Sequence, residues 1–396
     1  MSLLITGSTG FLGNGLLYLL DKQNYSNNIY LLIRTKREKS ASMRFQEIKQ
    51  QFQNLQLILL ETELLSISKV KLYVEIVINL AASVSFNSEL KEALNNNVDS
   101  VIEILKFINN NNIPKFIHVS TAYVSCINKN DTFTGSLISN KITEKYVNCK
   151  AMGNINTLYE NIKNDKISFE EIIQKKWFPN TYCLTKCLAE KMIEKEIKHN
   201  KKINITIIRP SIITNAIETP YLGWFKGYNA AIGFHSLIQH DYVKYIICNR
   251  NTKLDYVPVD YVCHIIVDSF QNQKNIIKHA TSFFKILSIQ QLVDYVDKKS
   301  VLFENKCFYT HYLKYSIIVR LSLYIILFYF LSFVNIDYLK KVKQIQRLFD
   351  TCININDIFK HFLTTSYNFK KSYKLTTPFI TYVDREQYYI KILRKM

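Results

Sequence analysis

The chain has 396 residues, enough to bury a large core and to hold one nucleotide-binding domain with a smaller companion. Hydrophobic residues make up 48% and aromatics 13%, with only 9 Gly and 6 Pro, which excludes a disordered, collagenous or low-complexity chain. The formal charge of +19 suits an anionic partner, but the lysines are spread along the chain with no arginine-rich helix, zinc-finger spacing or aromatic RNA-binding box, so nucleic acid is not expected.

In chain order, short apolar runs at 3–6, 29–33, 76–80, 116–119 and 205–209 read as buried strands. Helical spacing fills the intervals, at Leu16 to Leu20, Val98 to Ile108 and Cys187 to Ile197. Strand and helix in alternation predict an α/β fold, a doubly wound parallel sheet with helices on both faces. Beyond about residue 265 the alternation gives way to helical, aromatic-rich sequence. The expected division is therefore 1–265, a nucleotide-binding domain, and 266–396, a smaller helical C-terminal domain. Within the latter, Ile317 to Val334 is almost wholly apolar, with Arg320 near its start and Lys340, Lys341 and Lys343 beyond it. It falls at the short end of the roughly 17–25 residues of a membrane span. Membrane association is expected, against the competing reading of a buried core helix.

Eight cysteines, at 126, 149, 183, 187, 248, 263, 307 and 352, form no Cys-x-x-Cys pair, and no secretory leader precedes the first motif. Reduced thiols in a cytosol-facing protein are expected. Cys183 and Cys187 lie one helical turn apart with no His nearby, which fits packing residues; no metal site is expected.

Gly7-Ser-Thr-Gly10-Phe-Leu-Gly13 follows the first strand directly and opens a helix. This spacing gives a tight turn, a side-chain-free approach for a pyrophosphate and close helix contact, with backbone donors aimed at the anion. Gly7, Thr9, Gly10, Phe11, Leu12 and Gly13 are the expected cradle. At the end of the second strand an acid would hydrogen-bond a ribose 2′-hydroxyl, whereas a cation accommodates a 2′-phosphate. Here Ile29–Ile33 runs into Arg34, Lys36 and Arg37, with no acid before Glu38, so the expected cofactor is NADPH. Ala81 and Ala82 end the run at 76–80, where small residues let a dinucleotide lie across the sheet, and Asn97 opens the next helix.

A carbonyl reductase needs a neutral acid to protonate the oxygen as hydride reaches the carbon. A tyrosine can serve if a lysine four residues on, along the same helix face, lowers its pKa. Tyr146/Lys150, Tyr182/Lys186 and Tyr367/Lys371 all have this spacing. Trp177-Phe-Pro-Asn-Thr181 before Tyr182 is a helix-start signature, the helix continues through Ala189, Glu190 and Ile193, and the next apolar run ends at Arg209-Pro210-Ser211. Tyr182/Lys186 is therefore the expected pair, with Pro210 at the cofactor's edge. Ser120-Thr121 ends the run at 116–119, at the carboxyl edge where such sheets bind ligands. Strand alternation turns one hydroxyl into the packing and the other toward the crevice, which makes Thr121 and Ser120 the candidates to hold the carbonyl.

Together with these, His118-Val-Ser-Thr-Ala-Tyr-Val124, Pro179-Asn-Thr-Tyr-Cys-Leu-Thr-Lys-Cys-Leu-Ala-Glu190, Ile208-Arg-Pro-Ser-Ile212, Gly223-Trp-Phe225 and Val257-Pro-Val-Asp260 make the chain resemble the fatty acyl-CoA reductases, an extended short-chain dehydrogenase/reductase family with a male-sterility-type C-terminal domain. The resemblance runs to about residue 265 and continues more loosely beyond. It implies two NADPH-dependent hydride transfers to a long-chain acyl-CoA, releasing CoA and giving a primary alcohol through an aldehyde. Tyr182 would protonate the oxyanion, Lys186 would tune it and hold the nicotinamide ribose, and Thr121 would orient the carbonyl. The implied home is an endoplasmic reticulum or peroxisomal membrane, with the active domain facing the cytosol. Where the family carries Gly-Asp-Leu near the adenine, this chain reads Leu60-Glu-Thr-Glu63-Leu. A sterol-type dehydrogenase on the same scaffold and a non-catalytic nucleotide-binding scaffold are the competing readings.

Overall fold

The computed structural model describes residues 1–36, 38–86, 88–124, 154–168, 171, 178–200, 202–227, 232–233, 245–281, 287–296, 301–303, 359, 362–363 and 375. The chain divides into two compact units: Met1–Gly227 with Asp255–Lys285 and Asn368–Ile392, and Tyr228–Leu254 with Ile286–Tyr367 and Leu393–Met396.

In the first unit the elements run β1 (Leu3–Thr6), α1 (Phe11–Lys22), β2 (Ile29–Ile33), α2 (Ala41–Gln51), β3 (Leu57–Glu61), β4 (Ile76–Asn79), α3 (Leu90–Leu94), α4 (Ser100–Asn110), β5 (Lys115–Val119), α5 (Ile155–Lys163), α6 (Thr181–His199), β6 (Asn204–Pro210) and β7 (Ile212–Thr214). After β8 (Tyr245–Ile247) and β9 (Lys253–Leu254), which belong to the second unit, come β10 (Tyr256–Pro258), α7 (Val259–Asp268) and β11 (Ile276–Ala280). Seven strands form one sheet in the order β11-β6-β5-β4-β1-β2-β3, and every pair in it is parallel. The fold is doubly wound: the chain builds outward from β1 through β2 to β3, then returns to β4 on the other side of β1. That reversal opens a crevice outside the carboxyl ends of β1 and β4.

Covering helices explain the composition of the strands. β1, β4 and β5 are buried along their whole length, as a parallel sheet with both faces covered requires. α1 contributes Leu16, Leu17, Leu19 and Leu20 to the core, and α4 contributes Val101, Ile104, Leu105, Phe107 and Ile108. Helical periodicity thus serves as the layer that excludes water from the strands.

All five expected strands are present, and two further ones extend the sheet. β3 carries Glu61 and two half-buried residues on its edge, which blurs its apolar run. β11 reads Ile-Ile-Lys-His-Ala with Lys278 and His279 both buried. Lys278 is neutralised by Asp268 of α7 at 3.3 Å. The sheet therefore continues past the boundary expected at residue 265: 255–285 lies with the first unit and 228–254 with the second.

The second unit, expected to be helical, holds strand pairs as well. β8 pairs in parallel with β13 (Val301–Phe303), and β9 pairs antiparallel with β12 (Leu287–Ser288), which leads into α8 (Ile289–Val296). The apolar segment 317–334 lies outside the described residues, as do Tyr146/Lys150 and Tyr367/Lys371. Among the described residues no helix is long and apolar enough to cross a membrane.

Candidate active site

The loop between β1 and α1 is built for close approach. Gly7 sits at φ +74°, and a Cβ there would lie 2.7 Å from the Ala81 nitrogen and 2.8 Å from the Leu80 carbonyl carbon. A Cβ at Gly13 would collide with the Gly7 carbonyl oxygen and stand 2.6 Å from the Ser8 Cα. Backbone bonds from Gly10 N to Gly7 O (3.0 Å) and from Asn14 N to Gly10 O (2.9 Å) close the turn. Gly10 caps α1 without any side-chain hydrogen bond, so the first-turn N–H groups at Phe11 and Leu12 are available to an anion. The buried Ser8 hydroxyl has no hydrogen-bond partner. These features fit a dinucleotide pyrophosphate.

Ala81 is fixed by a polar ladder across three strands. Its N–H donates to Thr6 Oγ1 (3.2 Å), Thr6 donates to Asn79 Oδ1 (2.6 Å), and Asn79 Nδ2 meets His118 Nδ1 at 3.1 Å. Ala82 follows, half-buried. Asn97 lies in a π-helical turn, Asn95–Asp99, between α3 and α4. Its side chain accepts from Ser83 N (2.8 Å) and donates to Ser83 O (3.1 Å) and Thr185 Oγ1 (3.0 Å), which ties the segment after β4 to α6.

At the end of β2 the cations divide. Arg34 faces Glu63 at 3.8 Å, and Arg37 lies outside the described residues. A third arginine, which the sequence reading passed over, holds the corner: Arg44 Nη2 donates to Thr9 Oγ1 (2.8 Å) and Nη1 to the Arg34 carbonyl (2.5 Å). Arg44 lies in the first turn of α2, beyond Glu38 where the cation cluster breaks off. Only its register on a helix beginning at Ala41, capped by Ser40 accepting from Met43 N, could have marked it.

The phenol and ammonium come together where β5 ends. Asn180 caps α6, its side chain accepting from Cys183 N (2.8 Å), and this places Tyr182 in the first turn and Lys186 one turn later. Lys186 Nζ donates to the Val119 carbonyl at 2.6 Å. Thr121 stands near the Tyr182 hydroxyl, and the Tyr182 ring packs on Phe86 with centroids 5.8 Å apart. Ser120 is bound into the sheet through its N–H to Ile208 O (2.7 Å), while its buried hydroxyl has no partner. Pro210 ends β6 next door, opposite Ala280.

Burial governs both titrations. It pushes the Tyr182 phenol up, Cys183 adds to this, and the Thr121 hydrogen bond opposes it. The same burial lowers Lys186 to about 8, against the pull of Glu190. The ammonium is directed onto the Val119 carbonyl, and dehydration dominates the phenol.

Two residues of the motifs after β6 brace the loop from the side. Trp224 packs against Phe11 and Tyr18 of α1 with ring centroids 5.4 and 5.3 Å apart. Asp260, in the first turn of α7, accepts backbone N–H bonds from Ile217 (3.1 Å), Glu218 (2.7 Å) and Thr219 (3.0 Å).

Comparison with known proteins agrees with this fold. The family described as Male sterility protein, an NAD-binding domain, matches residues 5–266. Fatty acyl-CoA reductase 1 of Homo sapiens is 29% identical over 287 residues, covering 67% of this chain and 53% of that protein. The Xenopus laevis protein of the same name is 30% identical over 284 residues, covering 66% and 52%. The chain thus spans about half the length of the curated relatives it matches. Among solved structures, the terminal R domain of the myxalamid biosynthetic pathway aligns with TM-score 0.55 at 18% identity, over 74% of this chain and 68% of that one. UDP-glucuronic acid 4-epimerase of Bacillus cereus in complex with NAD aligns with TM-score 0.54 at 17% identity, over 75% and 82%. At these identities the two structures speak for the fold alone. With the family match running from β1 into α7, the chain belongs to the male sterility protein family of NAD-binding domains.

Proposed function

We propose that this chain reduces long-chain fatty acyl-CoA to a primary alcohol with NADPH, through an aldehyde. The observation that carries the reading is the meeting of Tyr182, Thr121 and Lys186 at the carboxyl end of β5, on the same sheet edge as the glycine loop. Supporting it, the two relatives named above are called fatty acyl-CoA reductases.

The reaction consumes two NADPH and two protons for each acyl-CoA and releases CoA, two NADP⁺ and the alcohol. When bound, the dinucleotide would supply hydride to the acyl carbon, first of the thioester, whose C–S bond then breaks to release CoA, and next of the aldehyde. Tyr182, kept protonated by burial, gives its proton to the carbonyl oxygen. Thr121, beside Tyr182, orients that oxygen, and the Ser120 hydroxyl is a second donor beside it. Lys186 holds the nicotinamide ribose. Gly7, Gly10 and Gly13, with the backbone at Thr9, Phe11 and Leu12, receive the pyrophosphate. Arg34, Arg37 and Arg44 meet the 2′-phosphate, which selects NADPH. Ala81, Ala82 and Pro210 flank the bound dinucleotide. The proposal also puts the chain on an endoplasmic reticulum or peroxisomal membrane with this unit facing the cytosol, supported by the apolar run 317–334 and the lysines that follow it.

The test is NADPH oxidation with palmitoyl-CoA, followed by lipid analysis of the product. Wild type should yield hexadecanol. Tyr182→Phe should lose ~100- to 10,000-fold in rate while NADPH binding, read by fluorescence, is kept. A wild-type protein that binds NADPH without oxidising it would refute the reductase and favour a nucleotide-binding scaffold.

A further inference from the structure

Glu190 lies one helical turn beyond Lys186 on α6, at the spacing that brings side chains together on a helix face. Its carboxylate is 4% exposed and is gripped by Arg209 of β6, itself 3% exposed. Arg209 Nε donates to Oε1 at 3.0 Å and Nη2 donates to Oε2, a two-pronged contact. β6 is also the neighbour of β5, with Ile208 opposite Val119, whose carbonyl receives the Lys186 ammonium. Lys186 thus reaches a carbonyl of β5, and one turn further along its helix lies a carboxylate held in place from β6.

Stability does not account for such a pair. Removing two charges from water costs several kcal/mol per ion, and well-packed apolar side chains of similar volume serve a core as well or better. Chemistry does account for it. A lysine buried to 2% exposure sheds its proton easily, and the charge that opposes this is Glu190. The other groups around Lys186 do not take its place. From β5, His118 is pushed toward its neutral form by burial and by Lys186 itself. On α6 itself Tyr182 and Cys183 are raised by burial and stay neutral, and Cys187 is a buried thiol. From β6 comes Arg209, a cation engaged with Glu190; in the π-helical turn Asn97 reaches α6 through Thr185 as a neutral amide, and Asp99 is engaged by Tyr159 and Lys163.

We propose that Glu190, braced by Arg209, is a positioning residue for Lys186 that keeps its ammonium charged and fixed at the carboxyl end of β5. The catalytic meaning of this inference rests on the reductase reading; the coupling between the two side chains does not.

Two measurements on the full chain separate these. In the first, competitive acetylation with acetic anhydride across about pH 6 to about pH 10, read by mass spectrometry of the peptide carrying residue 186, gives the titration midpoint of Lys186 without any turnover. Wild type should titrate near about 8. Glu190→Gln should titrate about one unit lower, and Glu190→Asp, which keeps the charge, should stay near wild type. The double change Glu190→Leu/Arg209→Met removes both buried charges without stranding either, so it serves as the test should the single change fail to fold, and it should also titrate lower. In the second, kcat/KM for palmitoyl-CoA should fall ~10-fold in Glu190→Gln and the double variant at about pH 9 and stay within ~3-fold of wild type at about pH 6. Folded variants with an unmoved midpoint and an unmoved alkaline limb would reduce the Glu190–Arg209 pair to a fold element and overturn the proposal. A shifted midpoint in a protein that never oxidises NADPH would leave the coupling standing and sink the reductase instead.

Discussion

Arg44 joins two parts of the chain that must agree on one cofactor. Its guanidinium donates to Thr9 in the glycine loop and to the Arg34 carbonyl at the end of β2, so one cation spans the corner where a 2′-phosphate would rest. Arg44→Ala should raise KM for NADPH ~10-fold, the loss of one charge-assisted contact, and leave KM for NADH within ~2-fold. Equal losses with both cofactors in steady-state kinetics would mean that Arg44 only braces the loop. Asp260 makes a second prediction, in pH. Burial raises its carboxyl to about 6, whereas an unfolded aspartate titrates near ~4. Between those values the folded chain binds more protons than the unfolded one, so this group's contribution to stability falls as pH rises. His279 acts in the opposite sense: burial, aided by Arg209, lowers it to about 4, below the unfolded value near ~6.5, and its contribution rises with pH over the same window. Asp260→Asn should therefore make the melting temperature climb more steeply from about pH 4 to about pH 6 than in wild type. Parallel melting curves would show that Asp260 does not titrate there.

At the scale of elements, α6 is the part that would deliver the proposed chemistry, and its first turn is the weak point. Tyr182 sits two residues past the cap, held by Asn180 accepting from Cys183 N. Asn180→Ala should cost ~1 kcal/mol of stability, read by thermal or urea unfolding, and should lower kcat more than a variant of equal stability altered at the far end of α6. The glycine loop and the α6 dyad were legible in sequence because each is a local pattern: three glycines between a strand and a helix, and a Tyr and a Lys one turn apart behind an Asn cap. What could not be read is what depends on neighbours distant in sequence. β11 was hidden because Lys278 breaks its apolar run, and that lysine is tolerable only because Asp268 of α7 reaches it. The direction of the Lys186 ammonium was hidden because Val119 is 67 residues away along the chain. Arg44 was hidden because nothing in its own surroundings shows that Thr9 will lie against it.

For the whole molecule, 51 Lys and Arg against 32 Asp and Glu leave a field that draws the protein toward anionic surfaces, a long-range effect that salt weakens. An apolar insertion would not be weakened in this way. Co-sedimentation with vesicles of about one-third anionic lipid should therefore survive a wash in about 1 M salt for the full chain. Deletion of residues 317–334 should make the association salt-labile. Release of both proteins by the wash would reduce the attachment to charge alone.

The outermost strand, β11, lends the sheet five rungs, from Ile276 opposite Thr206 to Ala280 opposite Pro210. A fragment trimmed at residue 266, where the family match stops, would bare the flank of β6 along that whole row. Open amide and carbonyl groups on a greasy ribbon are a template for clumping. The shortest self-sufficient piece of this protein must therefore reach past Ala280, and cuts made at the limit of recognisable kinship would give a sticky product rather than a smaller enzyme.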